Sequence, residues 1–171
     1  IGNGTTSNST TSNLGAAYPT YYGNGRQQYL ILASELTTLG AGAGNLTSLA
    51  FDVTRVGTGT GAPLTNYTIN LGTTTAATLV SSFNTAALTT VFTAATYTPI
   101  LGSNRHTFST PFAWDGVSNI IVDICFSNNI SGTSTFQHTN KLHTTTFPST
   151  VYYQVDGTTT GICAQNSVSA S

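Results

Sequence analysis

Apolar and polar residues alternate along this chain in short runs, and no long stretch carries helical spacing. Leu49, Phe51 and Val53 alternate with Ala50, Asp52 and Thr54, the period of a strand with one wet face. Tyr67, Ile69 and Leu71 alternate with Thr68 and Asn70 in the same way. The strongest strand places Ile120, Val122, Ile124 and Phe126 on one face and Ile121, Asp123 and Cys125 on the other. Further strands are predicted at 29–32, around Val91, Phe92 and Tyr97, at 106–108, at 136–138 and at 151–155. Asp115-Gly116, Ser131-Gly132 and Asp156-Gly157 punctuate these runs as turns, and Gly57 to Pro63 suits a hairpin connection. Ser34-Glu35-Leu36 reads as a capped helical turn closed by Gly40. Residues 73–87, rich in Ala and Thr, read as a short helix or a loop. About eight short strands without a long helix predict an all-β, two-sheet antiparallel β-sandwich of jelly-roll type.

Composition sharpens that picture. A chain of 171 residues suits one domain. Residues 1–17 are almost entirely Gly, Asn, Ser and Thr, which predicts an extended polar segment able to act as an inter-subunit arm, followed by a single domain over 18–171. Only 5% of residues are charged and the net charge is −1. The polar surface therefore falls to Thr, Ser and Asn, and Thr suits a half-exposed pleated sheet. No cluster of Lys or Arg offers itself to a nucleic-acid backbone or to anionic lipid. A nearly neutral surface lacks the repulsion that keeps proteins apart, so copies of itself are the expected partners.

No stretch approaches the length of a membrane span, and the expectation is that no signal peptide remains. The start at Ile1 without any Met leads us to expect a processed or excised product. Cys125 and Cys163 are an even pair, compatible with one disulfide and hence with an oxidising, extracellular location; the competing reading is two buried thiols.

Candidate chemistry is sparse. Glu35, Asp52, Asp115, Asp123 and Asp156 are isolated in sequence, whereas hydrolysis needs paired carboxylates or a nucleophile with a positioned base. Asp115 and Asp156 precede Gly, where Asp caps its own turn. Asp123 is expected to face solvent or a partner such as Arg55 or Arg105. His106, His138 and His143 show no ligand spacing, so no metal and no cofactor is expected. Gly23-Asn24-Gly25-Arg26 lacks the helix and Lys of a phosphate loop. Trp114 is either a sugar-stacking platform or a core plug, the plug being favoured because a single Trp is mostly buried. Tyr18, Tyr21 and Tyr22 form a second aromatic patch, for a ligand, a sheet edge or a neighbouring subunit. Asn-x-Ser/Thr triplets at Asn3, Asn8, Asn45, Asn66 and Asn129 arise readily in such a composition.

Several segments together carry a likeness: Arg26-Gln27-Gln28-Tyr29-Leu30, Ala43-Gly44-Asn45-Leu46-Thr47-Ser48-Leu49, Thr107-Phe108-Ser109-Thr110-Pro111-Phe112-Ala113-Trp114-Asp115-Gly116, and Ser118-Asn119-Ile120 running on to Cys125-Phe126. The chain resembles a β-sandwich domain recurrent in secreted, type IX-exported, adhesin-like surface proteins of Bacteroidetes. That resemblance implies a module without catalysis, at the cell surface. Such domains continue after the second cysteine into a strand beginning Arg-Pro-Asn, which is missing before Ser171. The expectation is that a neighbour donates a strand, with residues 1–17 as candidate donor. The functional expectation is a structural subunit of a self-assembling surface fibre; the alternative is an adhesin or carbohydrate-binding module that engages surface glycans.

Overall fold

The structure, a computed structural model, describes residues 1–8 and 15–169. In chain order it contains β1 (Thr6–Ser7), β2 (Asn24–Ile31), α1 (Ala33–Thr38), β3 (Gly44–Arg55), β4 (Leu64–Thr74), β5 (Thr89–Tyr97), β6 (Gly102–Trp114), β7 (Asn119–Ser127), β8 (Thr139–Leu142) and β9 (Thr150–Val155). The strands form two antiparallel sheets, ordered β1-β8-β3-β6 and β5-β4-β7-β2-β9, the expected β-sandwich. Alternation decides which face each strand buries. Ile120, Val122, Ile124 and Phe126 of β7, with Tyr67, Ile69 and Leu71 of β4, meet Val53, Phe108, Phe112 and Trp114 across the inter-sheet space. Helix α1 begins where Glu35 accepts a hydrogen bond from the Leu32 N–H at 2.8 Å and Asn119 accepts one from the Ala33 N–H at 2.8 Å, which satisfies donors that a helix start leaves free.

β7 is apolar on both faces because its outer face is covered as well. Ile121 joins Leu30, Leu79, Phe83 and Val151 in a second apolar cluster. The cover consists of the segment after β4, irregular where a helix or loop was expected, and the segment that follows β9. Between them lies a polar knot. The Asp123 carboxylate, completely buried, accepts from Arg26 Nη2 at 2.7 Å and Nε at 2.9 Å, from Gln28 at 2.8 Å and from Asn70 at 3.2 Å. Arg26 also donates to the Gln165 carbonyl at 2.5 Å and lies over the Phe83 ring, 4.4 Å from its centre. Gln28 exchanges two hydrogen bonds with the Asn84 backbone. The partner of Asp123 is therefore Arg26, neither Arg55 nor Arg105: β2 pairs with β7 in a register that sets Gln28 opposite Asp123 and Arg26 opposite Cys125.

Two boundaries differ from the sequence pattern. The strand expected at 136–138 is instead a turn and approach to β8, because the Phe136 and Gln137 carbonyls are taken by Thr20 and Arg55 at 2.6 Å each. β1 is a strand that the polar tail did not predict; Thr6 and Ser7 pair with Leu142 and Lys141 of the same chain. Gly4 passes so close to β8 that a Cβ there would overlap the Leu142 carbonyl oxygen. Residues 9–14 of the expected arm lie outside the described residues.

Cys125 and Cys163 are joined in a disulfide, which ties the C-terminal segment to β7 across a sequence separation of 38. Loop-closure entropy makes that bridge worth about 4 kcal/mol, so replacing both cysteines by Ser should lower the thermal midpoint clearly, measurable by calorimetry. Arg26→Met leaves Asp123 buried without its counter-charge and should cost about 3–5 kcal/mol in urea unfolding.

Candidate functional site

The carboxylates are already engaged. Asp115 accepts from the backbone N–H groups of Val117 and Ser118 at 2.9 and 2.8 Å and from the Ser118 hydroxyl at 2.5 Å, bonds that hold its pKa below the usual carboxylate value. Asp156 joins two loops by accepting from the N–H groups of Gly23 at 2.9 Å and Gly132 at 2.7 Å. Asp52 pairs with Lys141 at 3.1 Å on the surface. Glu35 caps α1 and Asp123 lies under Arg26. Among the described residues no three of His, Cys, Asp and Glu gather as a metal site.

Two of the four aromatics singled out from sequence are interior residues. Trp114 is 3% exposed, and its indole N–H donates to the Ser118 carbonyl at 2.8 Å. Tyr18 is completely buried amid Phe51, Tyr67, Tyr97, His106 and His138, with ring centres 5.6 to 6.4 Å away. Its hydroxyl lies 2.7 Å from His106 Nε2. Burial, with the neighbouring Tyr67 and Tyr97 adding to it, raises the pKa of Tyr18, so its hydroxyl stays protonated and shares this hydrogen bond with the imidazole. Burial pushes His106 down to about 4 and lowers His138 as well. His138 Nδ1 accepts from the Gly57 N–H at 3.1 Å, which leaves Nε2 to donate to the Ala62 carbonyl at 2.7 Å. Both histidines thus act as neutral struts in the core. Tyr21 and Tyr22 remain half-buried near the surface, their rings edge to face at 5.2 Å.

Besides Ile1 and Val80, the exposed large apolar residues lie at the two ends of the sandwich, a feature that period-2 patterning cannot show. Register places Gly44 opposite Trp114 and Val53 opposite Gly102. The turn after Trp114 and the exit of α1 therefore share one end, and the turn before Gly102 marks the other, about 30 Å away along β3. At the first end Leu39 is 68% exposed and Val117 is 78% exposed. Gly116, at φ 82°, packs so tightly on Ala43 that a Cβ would lie 2.8 Å from the Ala43 nitrogen. At the far end Ile100 and Leu101 are 63% and 68% exposed. Each tip is rigid. Asp115 locks the turn that carries Val117, and buried Asn104 locks the other by accepting from the Ile100 N–H at 2.8 Å and donating to the Ile100 and Gly102 carbonyls at 2.7 and 2.9 Å.

The pH dependence of stability follows from the buried imidazoles. His106 titrates near 6.5 when unfolded and near 4 when folded, so the unfolded chain binds the extra proton first. Stability is fully present above pH 6.5 and falls as pH drops towards 4, by on the order of 3 kcal/mol. Thermal midpoints measured from pH 7 to pH 4 should fall accordingly, and His106→Phe should flatten the profile. No known protein family, curated protein or solved structure matches this chain in a way that would assign it a relative.

Proposed function

We propose that this protein is a non-catalytic, extracellular structural subunit that assembles with copies of itself into a fibre. The observation that carries this reading is the pair of apolar tips, Leu39 with Val117 and Ile100 with Leu101, on locked turns at opposite ends of one domain. Two different patches that complement one another produce a heterologous contact, and such contacts propagate as open filaments when the rotation does not close a ring. Rigid turns reduce the entropy lost on docking. With 5% of residues charged, little ion desolvation opposes the contact. The disulfide is compatible with an oxidising location, and structural partners for all the carboxylates favour a non-catalytic role. The reading as a glycan-binding module rests on Tyr21 and Tyr22, which keep partly exposed rings at the surface.

Head-to-tail assembly has a specific signature. Leu101→Asp disables one end and Val117→Asp the other, and neither touches the core, so both variants should melt like the unmodified protein. The unmodified protein should form fibres by electron microscopy and light scattering. Each variant alone should stay monomeric, and an equimolar mixture should stop at dimers, because each variant still offers one intact tip. A wild-type chain that stays monomeric at every concentration would sink the fibre reading. Fibres from both variants would sink the assignment of the tips.

A further inference from the structure

Residues 160–169 lie as a strap over the outer face of the five-stranded sheet. A short 3-10 turn at Ile162–Ala164 sits over β7 and β2, and the Cys125–Cys163 bridge joins it to β7. Besides the bridge, the strap's hold on the sheet is thin. Ile162 is buried and Val168 packs against the second apolar cluster, whereas Gly161, Ala164, Asn166 and Ser167 are exposed. Among the described residues, Arg26 Nη1 donates to the Gln165 carbonyl at 2.5 Å and the Ser169 N–H donates to the Tyr152 carbonyl at 2.7 Å. The Gln154 N–H donates to the Ser169 hydroxyl at 3.2 Å. The chain just before the strap is pinned at both faces of a loop. The Gly157 N–H donates to the Ile130 carbonyl at 3.0 Å, Asn24 donates to the Gly157 carbonyl at 2.7 Å, and the Thr159 N–H donates to Asn129 Oδ1 at 3.1 Å. Gly161, at φ 71°, stands between that anchor and the turn, where its left-handed backbone suits a hinge.

We propose that residues 160–169 are a redox-locked strap, which a dithiol reductant releases from the sheet while the sandwich beneath stays folded. The two ends of the bridge differ: Cys125 is completely buried on β7, and Cys163 is exposed. A thiolate of the reductant attacks the Cys163 sulfur and the S–S bond breaks. The Cys125 sulfur leaves with the electron pair and takes up a proton. The second thiol of the reductant then gives up its proton and attacks its own sulfur in the mixed disulfide. Cys163 leaves as a thiolate and is protonated in turn. Two electrons have passed to the protein, and the reductant departs as a cyclic disulfide.

The layer beneath does not depend on the strap. Asp123 keeps Arg26 Nε and Nη2, Gln28 and Asn70, so opening frees only Arg26 Nη1, which water then satisfies. β7 stays paired with β2 on one side and β4 on the other. Opening uncovers the Arg26–Asp123 pair and the outer edge of β9, where Ser169 fills the Tyr152 carbonyl and the Gln154 N–H. Free backbone groups on a sheet edge template further pairing, so the closed strap protects that edge. An oxidising location keeps it shut. This inference stands apart from the fibre reading, because the strap lies on a sheet face and the tips lie at the ends of the sandwich.

The test uses the unmodified chain, oxidised and after reduction with dithiothreitol. Hydrogen exchange followed by NMR reads single amides, and iodoacetamide labelling followed by mass spectrometry reads each thiol of the reduced protein. On reduction the Ser169 and Gln154 amides should exchange about tenfold faster or more, while the amides of Ile121 to Ile124 on β7 stay protected. Buried Cys125 should be labelled with a protection at least about tenfold smaller than that of those β7 amides, and the reduced protein should still melt in one transition. Unchanged exchange at Ser169 and Gln154 overturns the proposal. So does labelling of Cys125 that is as protected as the β7 amides, because the strap then leaves only when the whole domain unfolds. Loss of β7 protection on reduction overturns it as well and makes the bridge a structural staple. A bridge that dithiothreitol leaves intact in the folded protein has the same consequence.

Discussion

The buried pair of Arg26 and Asp123 constrains more of this fold than any other contact. A carboxylate in the middle of the central strand β7 is tolerable only if its lone pairs are filled, because an unpaired buried charge costs several kcal/mol. Arg26, Gln28 and Asn70 fill them from β2 on one side and β4 on the other. Having done so, Arg26 and Gln28 still have donors and an acceptor to spare, and these reach Gln165 and Asn84. The covering segments are thereby held over the sheet, and Leu79, Phe83 and the disulfide close around the knot. A sheet that would have had one wet face becomes a buried layer.

That layer explains the division of labour among the ionisable residues. With five acidic and four basic side chains in the whole chain, few are free for anything beyond structure. The carboxylates cap a helix, lock a turn, join loops or fill the knot. The buried histidines serve as neutral hydrogen-bonding struts against tyrosines and backbone groups. The surface left over is Thr, Ser and Asn on the sheets and bare apolar residues at the ends. Such a surface is weakly hydrated relative to a charged one, and it makes docking against similar surfaces inexpensive.

Strand patterning was legible where a residue's role is set by its immediate neighbours. The alternation over 120–126 gave both faces of β7, the Asp-Gly pairs gave turns, and a single Trp read correctly as a core plug. What stayed hidden depends on residues far apart in the chain. Arg26 lay in a glycine-rich stretch with nothing to mark it as the partner of Asp123, and the register between β2 and β7 brings them together across 97 positions. Tyr18 had the appearance of a surface aromatic because polar residues precede it, yet it packs at the centre of the aromatic core. Asn104, which sets the conformation of the turn carrying Ile100 and Leu101, has no sequence signature at all.

Local chemistry by itself therefore determined the fold class, the identity of the strongest strands and the scarcity of charge, since periodicity and composition are properties of neighbouring residues and of the chain as a whole. The tertiary structure alone decided which polar groups share a buried site and which apolar residues remain in water at the two ends. Those outcomes depend on the register and order of strands, which are fixed by long-range pairing and by the geometry of the covering segments.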